Sequence, residues 1–83
     1  MSNEQKIALI NVIGSDPVLY ISTAKDLTYV IEMVKTLSDP KYDEVVKPFI
    51  NKLNRAFYDK ITESDDWKQA VVKLNLVIKS YGL

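Results

Sequence analysis

The sequence predicts an all-α protein that forms an antiparallel four-helix bundle, with the third helix kinked or broken near Pro48. Apolar residues recur at spacings of three and four along four segments, which is the period of one buried helix face. Capping residues separate these segments, and no alternation of period two extends over four residues outside residues 15–22. Because the predicted connections are mostly short, neighbouring helices should run antiparallel in one domain, residues 1–83.

Three of the predicted helices begin at recognisable caps. Ser2 with Gln5 and Thr23 with Asp26 have the spacing of a capping box, in which two side chains satisfy each other's free backbone N–H groups. Ser64 precedes a pair of aspartates, which favour the positive end of a helix dipole. These caps place the starts of the first, second and fourth helices.

Glycine and proline mark the predicted ends. Gly14 should end the first helix, at about residue 13, and Gly82 should close the fourth, since glycine tolerates the left-handed conformation found there. The segment Ser38-Asp39-Pro40 should stop the second helix and open the third.

Pro48 is the irregular feature of the third helix, which should run from Pro40 or Tyr42 to Lys60. An interior proline removes one helical hydrogen bond, at a cost of about 3 kcal/mol unless the helix starts or bends there. We therefore expect either a kink near residues 43–44 or a short helix over 40–46 followed by the main helix from Pro48.

The apolar stripes predict the core. The four helices should contribute, in order, Ile7, Leu9, Ile10, Val12 and Ile13; Leu27, Val30, Ile31, Val34 and Leu37; Val46, Phe49, Ile50, Leu53 and Phe57; and Trp67, Ala70, Val71, Leu74, Val77, Ile78 and Tyr81.

Residues 15–22 fit two conformations. Asp16-Pro17 could cap a short helical turn, or Val18–Ile21 could lie extended across the core. Four consecutive apolar residues are expected to avoid solvent, so we expect a packed connector in either case.

The composition argues against catalysis and cofactors. The chain has 11 basic and 11 acidic residues, 47% hydrophobic residues, no cysteine and no histidine. It therefore lacks thiolate chemistry, the commonest general base and the commonest metal ligand. The acidic residues fall at caps and exposed faces, and two glycines cannot build a phosphate-binding loop. We expect no enzyme, no metal and no cofactor.

The location predicted from the sequence is cytoplasmic. Residues 2–6 are all polar, so no secretory leader is expected. No apolar run approaches the roughly 20 residues of a transmembrane segment.

A protein partner is the interaction that the surface residues favour. Tyr29 and Tyr58, two of five tyrosines, fall off the buried stripes, and tyrosine is enriched at interfaces. The candidate binding residues are the exposed side of the third helix with two lysines of the fourth: Asn51, Asn54, Arg55, Tyr58, Lys73 and Lys79.

Nucleic acid is the alternative partner. Asn51, Asn54 and Arg55 could read bases if the third helix entered a major groove. The neutral charge and the flanking acidic residues argue against this, since DNA-binding domains are usually basic. An exposed polar helix face explains the same residues.

The segments Asp39-Pro40-Lys41-Tyr42 and Pro48-Phe49-Ile50-Asn51-Lys52-Leu53-Asn54-Arg55-Ala56-Phe57-Tyr58 resemble the immunity proteins of class IIa (pediocin-like) bacteriocins. This resemblance implies a small cytosolic antiparallel four-helix bundle without enzymatic activity. It also implies protection of the producing cell by engagement of a bacteriocin-loaded sugar permease at the inner face of the membrane.

The sequence thus predicts a non-enzymatic protein-binding bundle, most concretely a bacteriocin immunity protein acting at a membrane receptor. The alternative is a small phage-type or mobile-element-type regulatory protein that forms a homodimer and binds DNA.

Overall fold

A computed structural model of the chain describes residues 1–83 and contains five α-helices and no strand. The helices are α1 (Asn3–Ser15), α2 (Pro17–Tyr20), α3 (Ala24–Lys35), α4 (Asp43–Phe57) and α5 (Asp65–Ser80), and 3₁₀ helices at Pro40–Tyr42 and Tyr58–Thr62 flank α4. The all-α prediction is confirmed. A four-helix bundle is not confirmed, because α2 is an additional one-turn helix.

The predicted caps are present. Ser2 N–H donates to Gln5 Oε1 at 2.8 Å, and Gln5 N–H donates to Ser2 Oγ at 3.1 Å. Thr23 and Asp26 form the second capping box, and Ser64 Oγ accepts a hydrogen bond from the N–H of the third residue of α5. Each cap satisfies donors that would otherwise be unpaired at a helix start.

The two glycines have different roles. Gly82 adopts φ +72° at the end of α5, and the bonds from Gly82 N–H to Lys79 O and from Leu83 N–H to Ile78 O complete a Schellman motif. The prediction for Gly14 is wrong, because α1 continues through it to Ser15. Gly14 is buried inside α1, next to the Phe49 ring of α4.

The break predicted near Pro48 is absent, since α4 is continuous from Asp43 to Phe57. Pro48 removes only one hydrogen bond of the helix, and Val46 and Phe49 on either side of it are buried in the core. The change of helix type lies earlier, where the 3₁₀ turn Pro40–Tyr42 gives way to α4. Packing of the flanking apolar residues keeps the helix intact.

One apolar core joins the four long helices. All of the predicted stripe residues are buried or partly buried except Val12, whose side chain is 47% exposed. No polar or charged side chain is buried. The core also includes Ile21, Ala24 and Met33, which the stripes did not predict.

Contacts between helix ends define the direction of α1 and α4. Asn3 Nδ2, at the start of α1, donates to Tyr42 OH just before α4, at 3.2 Å. Near the end of α1, Lys52 Nζ donates to Gly14 O at 3.2 Å. α1 and α4 therefore run in the same direction, and Lys52 caps the negative end of the α1 dipole.

α3 and α5 run in the opposite direction. Lys6 Nζ near the start of α1 donates to Thr36 Oγ1, just after α3, at 2.9 Å. Phe57 at the end of α4 stacks on Trp67 at the start of α5, with ring centroids 5.8 Å apart. One end of the molecule, which we call the α2 end, therefore contains the ends of α1 and α4, the starts of α3 and α5, and α2 itself.

We predict opposite effects of alanine at the two glycines. Gly14→Ala should raise the free energy of unfolding by about 0.5–1 kcal/mol, because alanine is favoured inside a helix and its Cβ would lie in ordinary contact 3.4 Å from Phe49 Cδ1. Gly82→Ala should lower it by about 1 kcal/mol, since φ +72° strains an L-residue. Urea denaturation followed by circular dichroism measures both changes. A destabilised Gly14→Ala variant would show that α1 and α4 cannot accommodate one methyl group.

Candidate protein-binding surface

Three consecutive apolar side chains of α2 are exposed. The exposed fractions are 64% for Val18, 68% for Leu19 and 48% for Tyr20. The expectation that this segment packs into the core is wrong for these residues, and only Ile21 after them is buried. A helical turn directs successive side chains around its axis by about 100° each, so one turn cannot bury them all. We call Val18, Leu19 and Tyr20 the α2 patch.

The α2 patch is fixed on both sides. Before it, Asp16 N–H donates to Ile13 O at 3.1 Å and continues the end of α1. Within it, Ile21 N–H donates to Pro17 O at 2.9 Å, and the buried Ile21 side chain anchors the turn in the core. α2 also contacts α1 and α4. The apolar side chains are therefore presented by an ordered turn.

Asp26 holds the chain that follows α2. Its Oδ2 accepts hydrogen bonds from Ser22 N–H at 3.1 Å, Ser22 Oγ at 3.2 Å and Thr23 N–H at 3.1 Å. The hydrogen bond from Ser22 N–H is the largest cause that lowers the pKa of Asp26 from its ordinary value, followed by the bonds to Thr23. The charged carboxylate thus fixes the turn between α2 and α3.

Four of the predicted binding residues lie in α4 or directly after it, and they share one outward face: Asn51, Asn54, Arg55 and Tyr58. Asn51, Arg55 and Tyr58 are exposed, Tyr58 to 62%, and Asn54 is half-buried. Their spacing of three, four and seven residues is that of neighbours on a helix surface. We call these four residues the α4 face. Because Lys52 reaches Gly14 and α2 contacts α4, the later part of α4 and the α2 patch lie at the same end of the molecule.

Lys73 and Lys79, the two predicted binding residues of α5, do not form a single surface with the α4 residues. Lys73 and Lys79 are six residues apart, which places them about 120° apart around a helix. Lys73 lines a pocket of about 530 Å³ between the starts of α3 and α5. Lys79 is exposed on the side of α5 that faces away from the core.

The pocket beside Lys73 is mostly polar. Its other lining residues are Ser22, Thr23, Ala24, Lys25, Thr28, Ser64, Asp66, Trp67 and Gln69. The caps of α3 and α5 already engage Thr23 Oγ1 and Ser64 Oγ. Its two ammonium groups, on Lys25 and Lys73, are balanced in part by the Asp66 carboxylate.

The exposure of the two off-stripe tyrosines is confirmed, but they lie apart. Tyr29 is 61% exposed and lines a shallow pocket with Met1, Lys6 and Thr36, near the start of α1. Tyr58 lies at the α2 end. Tyr29 therefore lies toward the end of the molecule opposite the α2 patch.

No protein-family model, curated protein or solved structure matches this chain. None of the five helices has the length and hydrophobicity that crossing a membrane requires. No three His, Cys, Asp or Glu side chains form a group that could hold a metal ion.

The lowered pKa of Asp26 predicts a pH-dependent contribution to stability. A carboxylate whose pKa is lower in the folded state stabilises the fold above its unfolded pKa of about 3.9, and this contribution is lost as the pH falls through the folded pKa. Wild type should therefore exceed Asp26→Asn in melting temperature at neutral pH, and the difference should shrink below about pH 4. Thermal melts between about pH 7 and pH 2 measure it. A difference that stays constant over this range would contradict the role of the Asp26 charge.

Proposed function

We propose that this chain is a non-enzymatic protein-binding protein whose partner contacts the α2 patch and the α4 face, which lie at the same end of the molecule. In this proposal the four long helices act as an antiparallel bundle that supports the added α2 turn. The observation that carries the proposal is the exposure of Val18, Leu19 and Tyr20 on a turn anchored by Ile21. A contiguous apolar patch with a polar border is typical of interaction sites.

The energetics of burial support this surface. Full burial of a side chain such as Val18 or Leu19 contributes about 1.5–3 kcal/mol. Arg55 and Tyr58 on the α4 face belong to the residue types most enriched among binding hot spots. An apolar contact at the α2 patch with polar contacts from the α4 face would give an interface with an apolar centre and a polar rim.

The most concrete form of this proposal is a cytoplasmic bacteriocin immunity protein. It rests on the resemblance of the segments 39–42 and 48–58 to class IIa immunity proteins. The partner would then be a membrane permease complex with bound bacteriocin, approached from the inner face of the membrane. Expression in a bacteriocin-sensitive strain tests this form directly, because protection is the expected result.

The alternative proposal is a small phage-type or mobile-element-type regulator that binds DNA as a dimer. The exposed Asn51 and Arg55 on one helix face favour it. Lys52 is a poorer candidate for a phosphate contact, since its ammonium group is already bound to Gly14 O. Retention on a DNA column that falls steeply with salt would favour this function over the immunity function, because phosphate contacts release counterions.

We predict that Leu19→Ser removes protection of a sensitive strain. The substitution takes away the most exposed apolar side chain of the α2 patch without altering the core. Tyr29→Ser is the matched control, because Tyr29 is 61% exposed on α3, outside the α2 patch and the α4 face. The growth of strains expressing each variant at equal protein level, with bacteriocin added, gives the measurement. Equal loss of protection in both variants would contradict a contact at α2.

The combined replacement of Arg55 and Tyr58 by alanine should also abolish partner binding and leave helicity intact. Both side chains are exposed, and alanine favours helix, so the far-ultraviolet circular dichroism should not change. The same protection assay reports on binding. Unchanged protection would remove the α4 face from the proposed interface.

A further inference from the structure

The outward side of α5 carries a second exposed apolar stripe. Val72 is 43% exposed and Leu76 is 62% exposed, although both lie within a helix whose opposite side is buried. Asp65, Lys68 and Lys79 follow the same side at helical spacing, and all three are exposed. We call Asp65, Lys68, Val72, Leu76 and Lys79 the α5 outer face. Spacings of three, four, four and three residues keep all five within about one-quarter of the helix circumference.

The α5 outer face is open in the folded chain. α5 contacts α3, α4 and the second 3₁₀ helix, and these neighbours cover the buried side of α5. Asp65, Lys68 and Val72, with Gln69 and Lys73, line a shallow depression of about 480 Å³. The ion pairs within the chain are Lys35–Glu32 and Lys60–Glu63, so no charge of the α5 outer face is paired.

The charges along this face are self-complementary. Asp65 lies seven residues before Val72, and Lys79 lies seven residues after it. If a second α5 packs antiparallel about a two-fold axis at Val72, Asp65 of each copy faces Lys79 of the other. Val72 then meets its own equivalent, and Leu76 lies against the turn that holds Lys68 and Gln69. The long stem of a lysine can cover such an apolar side chain while its ammonium group stays in water.

We infer that a second copy of this chain binds the α5 outer face and that the protein forms an antiparallel, two-fold symmetric dimer through α5. This inference concerns a different surface from the proposed function and does not depend on it. Symmetric pairing is the commonest way in which identical chains associate. The net charge of zero offers no overall repulsion to it.

Other partners and other helix orientations give poorer charge complementarity with the α5 outer face. A parallel pair of α5 helices would place Lys79 beside Lys79 and Asp65 beside Asp65, which is unfavourable for both ends. A uniformly acidic partner or an anionic membrane would attract Lys68 and Lys79 but would meet the like charge of Asp65. Antiparallel self-association gives both end charges an opposite partner.

The dimer should be weak and reversible. A helix of 16 residues is about 24 Å long, so one helix face against another buries less surface than the roughly 1,200–2,000 Å² of a stable complex. The dissociation constant therefore belongs in the micromolar to millimolar range, where the two cross-pairs of Asp65 and Lys79 have a measurable effect.

Charge reversal at the two ends tests the dimer. Sedimentation equilibrium of the full chain, between about 10 µM and 1 mM and at low salt, gives the dissociation constant. Asp65→Lys and Lys79→Asp should each raise it about tenfold, since each replaces two attractive pairs with two repulsive ones. The double variant should return it to within about threefold of wild type. Circular dichroism at the same concentrations confirms that every variant is folded.

Asp65→Lys also places a positive charge at the positive end of the α5 dipole, which destabilises the helix itself. A second variant, in the middle of α5, avoids this effect. Val72→Glu places two carboxylates on the two-fold axis and should abolish the dimer, whereas Leu19→Ser on the α2 patch should leave it unchanged. A monomeric wild type at 1 mM would overturn the inference. A double variant that remains as weak as the single ones, or a Val72→Glu variant that still dimerises, would also overturn it.

Discussion

The constraint on which the structure depends is an interior that contains no polar side chain. A core of this kind gives a free backbone polar group no partner, so the free N–H and C=O groups at the helix ends must find partners at the surface. Ser2, Thr23 and Ser64 do so at helix starts, and Gly82 does so at the end of α5. At the end of α1, Lys52 of α4 donates a hydrogen bond to the carbonyl oxygen of Gly14. Each long helix buries one apolar stripe against its neighbours, and this burial determines how the helices pack.

The sequence predicted the long helices well because each carries three or more turns of apolar residues at one period. Three or more turns average out single exceptions such as Val12, which was expected to widen the stripe of α1 but is exposed. The sequence failed where a segment was too short to have a period. In residues 17–20 composition suggested burial, but a single turn anchored only by Ile21 leaves its other side chains in solvent.

The candidate surface was predicted in part for the same geometric reason. Asn51, Arg55 and Tyr58 were found because they lie off a well-defined stripe, and the structure places them on one face. Lys73 and Lys79 were predicted by the same rule, since they also lie off the apolar stripe, but their six-residue separation places them on different sides of α5. Val72 and Leu76 also lie off the stripe of α5, and both are exposed. The contact between α2 and α4 needed the tertiary structure, since the segments are about thirty residues apart.

The two exposed apolar surfaces lie on different helices, α2 and α5, so site-specific crosslinking tests the partner proposed for each one separately. The most direct measurement of the central claim is photo-crosslinking in protected cells, with the photoreactive residue at position 19 and, as a control, at the exposed position Glu32 of α3. The account predicts a discrete adduct with a membrane-associated protein from position 19, formed only when bacteriocin is added, and none from position 32. The same adduct from both positions, or none from position 19 in cells that remain protected, would contradict it.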